Sequence, residues 1–178
     1  MPEFRRNRVS GGTYFFTIAI AERHKDLLVK HIALLRNAIH LEKKRAPFVI
    51  IAMSILPDHL HAVWRLPVGD TNYSERWRRI KATFSKMLKR NETVSKSRFE
   101  KGERGIWQRR FWEHTIRDDA DLQRHMDYVH FNLVKHRYVK KAADWQHSTF
   151  HAYVDRGVYP VDWGSAEEEK EGAYGEPD

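Results

Sequence analysis

The sequence predicts an α+β fold of the ferredoxin-like, split βαβ kind, with an antiparallel sheet and one added helix. Three observations carry that reading. Segments 13–20, 48–56, 59–66 and 107–116 are short and rich in aromatic and β-branched residues, the composition of strands. Segments 26–45 and 72–90, and one that opens at Asp118, repeat apolar residues at helical spacing. The order along the chain is therefore strand, helix, strand, strand, helix, strand, with the last helix added. Such a sheet gives one face to helices and leaves the other at least partly open.

Each element has its own signal. Thr13-Tyr14-Phe15-Phe16-Thr17-Ile18-Ala19-Ile20 follows Gly11-Gly12 as the first strand. Leu28, Ile32, Leu35 and Ile39 stripe the first helix, which Pro47 stops. Phe48 to Leu56 is almost wholly apolar, as in a strand covered on both faces. Pro57-Asp58 turns the chain, and His59 to Leu66 then alternates. His59, His61, Val63 and Arg65 share one face, while Leu60, Ala62, Trp64 and Leu66 share the core face. Asn72, with Glu75 three residues on, reads as the cap of a second helix striped by Trp77, Ile80, Phe84 and Met87 or Leu88. Residues 91–105 are polar and glycine-bearing, hence a loop, and Trp107 to Ile116 is the fourth strand. Asp118 and Asp119 start the third helix, whose buried stripe is Leu122, Met126, Val129 and Leu133. The aromatic stretch 145–164 is expected to pack irregularly.

A chain of 178 residues is long enough for a real core, and the expected organisation is one domain over 1–164 with an acidic, disordered tail over 165–178. No apolar run approaches the roughly 18 residues of a membrane span. Met1-Pro2-Glu3-Phe4-Arg5-Arg6 lacks the apolar stretch of a signal peptide. With no cysteine, disulfides and thiolate metal sites are excluded, and a reducing cytoplasm is the default compartment. The tail holds six acids against Lys170, a net of −5, so the +8 of the whole chain rests on a body of +13. A body that basic points toward a polyanion such as nucleic acid, although a solvated basic surface is the plainer explanation.

The chemistry gathers at two places. Residues i and i+2 of a strand lie roughly 6.6 Å apart and point the same way, so the neutral imidazoles of His59 and His61 can converge on one divalent ion. Tyr128 and Asn132 are one turn apart on the third helix and can offer a phenol and an amide to the same point. A bare His-x-His is weak on its own, since most histidines are structural or solvated. Nearby residues have ordinary explanations that outweigh the functional ones: Asp58 as turn chemistry before an acceptor that orients His59 or His61, His125 as a surface residue before a proton carrier, Asp121 as a charge at a helix N-terminus before a neighbour of the metal, and His130 as structural.

Taken together, Leu56-Pro57-Asp58-His59-Leu60-His61 and Tyr128-Val129-His130-Phe131-Asn132-Leu133-Val134-Lys135-His136 resemble the two signature segments of the single-tyrosine HUH (IS200-like) transposases. Within that family, Gly11-Gly12-Thr13-Tyr14-Phe15-Phe16-Thr17, Trp107-Gln108-Arg109-Arg110-Phe111-Trp112-Glu113-His114 and Ile116-Arg117-Asp118 are similar to the REP-associated tyrosine transposases of bacteria. The likeness covers roughly residues 5–140. It departs at Leu133, where the family commonly has a proline and where leucine continues the helix more easily.

The resemblance implies a metal-dependent enzyme that nicks and rejoins single-stranded DNA beside REP-type palindromic hairpins. Tyr128 would be the nucleophile, forming a phosphotyrosine intermediate, and His59, His61 and Asn132 would hold Mg²⁺ or Mn²⁺. It also implies a bacterial cytoplasmic, nucleoid-associated location, and a monomer working in cis, with a dimer as the alternative. For DNA contact the candidates are Arg5, Arg6 and Arg8 as a basic arm, Arg76, Arg78, Arg79 and Lys81 on the second helix, and Arg109 and Arg110. Trp107 and Trp112 are expected to stack on unpaired bases or to belong to the core, with equal claim. Two other functions stay open: a hairpin-binding protein without turnover, and a metal nuclease that uses water.

Overall fold

The computed structural model describes residues 6–165. Arg5 and nearly all of the acidic tail lie outside the described residues. Four strands, β1 (Thr13–Ala19), β2 (Val49–Ile55), β3 (His59–Arg65) and β4 (Trp112–Thr115), form one sheet in the order β2-β3-β1-β4. All neighbours are antiparallel. The expected split βαβ arrangement is present, because β3 lies between β1 and β2.

The helices are α1 (Leu27–Lys30), α2 (Ile32–Arg45), α3 (Tyr73–Met87), α4 (Lys96–Glu100), α5 (Asp119–Lys135) and α6 (Phe150–Asp155). The helix expected over 26–45 is broken at His31, whose ψ of 35° falls outside the helical well and separates α1 from α2. The predicted caps form. The Asn72 side chain accepts from the Glu75 N–H, and Asp118 accepts from the Asp121 N–H. The fourth strand is shorter than expected, because Trp107 makes only an isolated bridge to Ile20 before Trp112 joins β1. The expected loop contains α4. The C-terminal stretch is more regular than expected, with a 3-10 turn at Ala142–Asp144 and α6.

The sheet has two helical faces, and the second corrects the expectation of an open one. On the first, α2 and α3 cover Tyr14, Phe16, Leu60, Ala62 and Trp64. On the second, α5 lays Met126, Tyr128 and Val129 over Phe15, Ala52 and Val63. Strand alternation decides the assignment: β3 sends Leu60, Ala62 and Trp64 to the first core, and His59, His61 and Val63 to the face beneath α5.

Candidate active site and nucleic-acid interface

The hairpin from β2 to β3 delivers His59 and His61 at the start of β3, where register sets His59 opposite Ala19 and His61 opposite Thr17. Their ring centroids are 4.9 Å apart and nearly perpendicular. Each ring is fixed through Nδ1. His59 donates to the Asp58 carboxylate at 2.7 Å, and His61 Nδ1 meets the Thr17 hydroxyl at 2.9 Å. With Nδ1 donating in each ring, the lone pair falls on Nε2. Asp58 is itself held by the Arg23 guanidinium. Asp58 therefore supports His59 directly, which corrects the reading of Asp58 as turn chemistry alone.

Both imidazoles are kept neutral. Burial lowers the His59 pKa, with Asp58 pulling the other way, and burial lowers that of His61 much further, helped by repulsion from His59 and His136. A neutral imidazole is what a cation requires.

Helix α5 brings the other two residues. Tyr128 is buried, with its ring edge-on to His61 at 5.1 Å and to Phe15 at 5.6 Å. The Lys135 ammonium lies 5.5 Å from the Tyr128 ring centroid. Asn132, one turn on, is 0% exposed. The flank of α5 that carries both residues is therefore inside the protein. Asn132 is near enough to His61 to favour its protonated form. No hydrogen bond of good geometry links them, however, and His61 Nε2, Asn132 Oδ1 and Asn132 Nδ2 are all buried without a partner among the described residues. Leaving such groups unsatisfied costs about 1–3 kcal/mol each. A cation there would satisfy two of them, His61 Nε2 and Asn132 Oδ1, and not the amide N–H groups; that donor set, imidazole nitrogens and an amide oxygen, suits a divalent ion.

His136, at the C-cap of α5, stands 5.7 Å from the His59 ring and so borders the same site. Its place was legible in sequence, since 128, 132 and 136 share a helical face. Thr17 follows from strand register once β1 and β3 are paired. Arg23 gave no signal, because it comes from the segment between β1 and α1.

A second polar cluster lies nearer the start of α5. His114 of β4, Asp121 and His125 have ligand-type atoms within 4.8 Å of one another. Asp121 does more than charge the helix end. It accepts from His114 at 2.8 Å and from the Arg117 N–H at 3.0 Å, and Arg117 and Arg124 guanidiniums lie 3.5 and 3.3 Å from it. His125 donates to the Asp121 carbonyl at 2.8 Å and stacks on His114. These bonds satisfy the cluster internally and tie the first turns of α5 to β4, one turn ahead of Tyr128. His130 is structural, as expected: it is buried and bonded to Thr149 at 2.9 Å.

The basic residues sort by environment. Arg76 is withdrawn from the DNA-contact set. It is 3% exposed, and its guanidinium is consumed by the carbonyls of Ala46, Pro47 and Asn72 and by Asp70. It precedes Ile80 by one turn and so belongs to the core stripe. Arg79 is mostly buried against Glu42 and Glu75. By contrast, Arg6, Arg8, Arg78, Lys81 and Arg109 line one cleft of about 1030 Å³ on the α3 side, joined there by Lys101. Arg6 packs over Phe111 at 4.4 Å and faces Glu113 at 3.9 Å. Lys81 donates to the Gln108 carbonyl, and burial together with Arg6 pushes its pKa down to about 8. Arg110 is exposed outside that cleft. Trp107 belongs to the core, packed on Phe84 and donating to the Lys81 carbonyl. Trp112 lies half-buried against Phe15 on the α5 face. Among the described residues no helix is long and apolar enough to cross a membrane.

A family model described as "Transposase IS200 like" matches residues 8–132. A REP-associated tyrosine transposase of Escherichia coli (strain K12) is 44% identical over 163 residues, 92% of this chain and 91% of that protein. A relative from Haemophilus influenzae is 45% identical over 165 residues, 92% of this chain and 94% of the other. A solved structure of a REP-associated tyrosine transposase bound to a REP hairpin superposes with a TM-score of 0.81 at 42% identity, covering 100% of this chain and 99% of that one.

Proposed function

The chain belongs to the IS200-like transposase family, among the REP-associated tyrosine transposases, and from that premise we propose that it nicks and rejoins single-stranded DNA beside palindromic hairpins, with Tyr128 as its nucleophile. The observation that carries the reading is the pair of buried acceptors without a partner among the described residues, His61 Nε2 and Asn132 Oδ1, beside a buried tyrosine.

In the forward step the Tyr128 phenol oxygen bonds to phosphorus and the bond from phosphorus to the 3′ oxygen breaks. The phenolic proton leaves the tyrosine, and the departing oxygen ends as a 3′ hydroxyl. Because the phosphotyrosine keeps the energy of the diester, the hydroxyl of another strand can reverse the step without a nucleotide cofactor. His59, His61 and Asn132 would hold Mg²⁺ or Mn²⁺, which when bound polarises the phosphate and offsets charge developing on it. Asp58, Arg23 and Thr17 fix which imidazole nitrogens face the site. Phe15 packs edge-on to Tyr128, which limits the directions from which the phenol can approach a phosphate. Lys135, at the Tyr128 ring, adds a positive charge where the phosphate would sit.

The cleft beneath α3 supplies the second requirement, a positive surface for a hairpin's backbone. Arg6, Arg8, Arg78, Lys81 and Arg109 are the proposed phosphate contacts there, and the solved relative bound to a REP hairpin supports hairpin DNA as the ligand class.

The test is an oligonucleotide hairpin with a single-stranded flank, incubated with the full chain and Mn²⁺ and examined on a denaturing gel. The expected result is a covalent protein–DNA adduct that disappears in Tyr128→Phe, while that variant still binds the hairpin. Tight binding with no adduct from the unmodified chain would instead assign a binding protein. Cleavage that persists in Tyr128→Phe and stops in His59→Ala would assign a water-using nuclease.

A further inference from the structure

Helix α4 rides on a loop that is fastened at several points. Arg104 pairs with Glu92 and donates to the carbonyls of Ser85, Leu88 and Lys89. Arg98 donates to the Trp107 carbonyl at 3.1 Å, and the Glu103 N–H returns to the Arg98 carbonyl at 2.8 Å. The turns that close the loop use Gly102 and Gly105 at φ of 65° and 76°. On this fixed support stands Phe99, 79% exposed. Most phenylalanines gain from burial. This one stands out from a loop whose own bonds hold it in place.

Its neighbours name the partner. Arg98, Lys101, Gly102 and Glu103 line the basic cleft, so the phenyl ring stands at the rim of a surface whose excess charge is positive. An apolar partner alone would not call for the cations, and a simple anion would not call for the ring. An unpaired nucleobase carrying its phosphate needs both, since every base has a π-face and every nucleotide a negative charge.

We propose that Phe99 is a stacking platform for an unpaired base at the end of the bound hairpin, with Lys101 beside it on the phosphate. The inference rests on the hairpin-binding reading above and adds to it the contact that separates an unpaired terminus from plain duplex. Stacking and phosphate contact leave different signatures. Removing a phosphate contact reduces the slope of log affinity against log salt by about 0.7–0.9, whereas removing a stacking ring weakens binding and leaves the slope unchanged.

The experiment uses the full chain, a synthetic DNA hairpin with a short single-stranded extension carrying 2-aminopurine, and a blunt duplex of the same stem. Phe99→Ala is expected to weaken the extended hairpin about tenfold, with the salt slope and the affinity for blunt duplex preserved. Phe99→Trp should keep the affinity and quench the 2-aminopurine, and Lys101→Ala should lower the slope. Equal binding of the extended hairpin by Phe99→Ala and the unmodified chain overturns the proposal and leaves hairpin binding intact. Equal losses on both probes, or a Phe99-dependent dimer in sedimentation with unchanged DNA affinity, also overturn it. An unmodified chain that binds neither probe removes the hairpin reading itself.

Discussion

The two faces of the sheet are built from alternate residues of the same strands, yet they solve different problems. Toward α2 and α3, Trp64 stacks on Trp77 at 4.0 Å and meets the tilted ring of Phe48 at 4.1 Å, and Phe16 fills in beside them. Toward α5, the same strand presents His59 and His61 to Tyr128 and Asn132. Both faces contain unpartnered polar atoms, since the indole N–H groups of Trp64 and Trp77 lack acceptors too. The difference is convergence. On the first face the two indoles lie in an aromatic stack and the third such atom, Glu113 Oε2, belongs to a carboxylate already bonded to Tyr73 through Oε1, whereas on the second His61 Nε2 and the Asn132 amide meet beside one tyrosine. Unsatisfied polarity alone marks nothing; several complementary atoms at one point mark a site.

The largest effect on stability should come from the first face. Trp64 is 0% exposed and touches Phe16, Phe48 and Trp77. Trp64→Ala should cost about 3–5 kcal/mol, seen as a lower urea midpoint. Adduct formation per folded molecule, measured well below the melting transition, should stay near that of the unmodified chain. A matching loss of chemistry would mean that the two faces are not independent.

Acid should attack the second face instead. His59, His61, His125 and His130 all sit on α5 or on the strand surface beneath it, and burial lowers the pKa of each. For His130 the value falls from 6.5 to about 4. An unfolded chain takes up that proton below 6.5 and the folded chain does not, so stability is full above 6.5 and declines as pH falls toward 4. The loss from this residue is about 3 kcal/mol. Urea melts across that window should show the decline, and His130→Gln should flatten it; an unchanged slope would assign the acid sensitivity to the other histidines.

How much of this was written in the sequence differs between the same two faces. The apolar stripes Trp77–Ile80–Phe84 and Met126–Val129–Leu133 are buried as periodicity requires. The pairing of His59 with His61, and of Tyr128 with Asn132, followed from periods of two and of one helical turn. Periodicity does not say which strand lies beside which, so Thr17 entered the site only through register. The signal for Arg76 was available and outweighed by its charge: one turn before Ile80, it had to be buried, and its guanidinium found four acceptors there. Arg23 and Phe99 come from connecting segments without periodicity, where only tertiary structure supplies neighbours. The break at His31 has the same origin, because the helical stripe runs through it unchanged.

The smallest predicted effect is the sharpest test of convergence. Asn132 is fully buried with both side-chain heteroatoms unpartnered, so in a cation-free protein its amide should be a burden. Asn132→Leu, close in volume and free of polar atoms, should raise stability without divalent ions by about 1–3 kcal/mol, or roughly 2–12 °C in melting temperature. The same variant should lose adduct formation, since the amide oxygen is gone from the proposed cation site. Asn132→Asp makes the opposite exchange. A carboxylate buried beside neutral imidazoles should lower stability in chelator, and added Mn²⁺ should restore it by binding the folded form. If Asn132→Leu instead melts lower than the unmodified chain, the amide is doing structural work like the residues on the other face. The gathering of polar atoms beneath α5 would then be a feature of packing, and the distinction between the two faces would disappear.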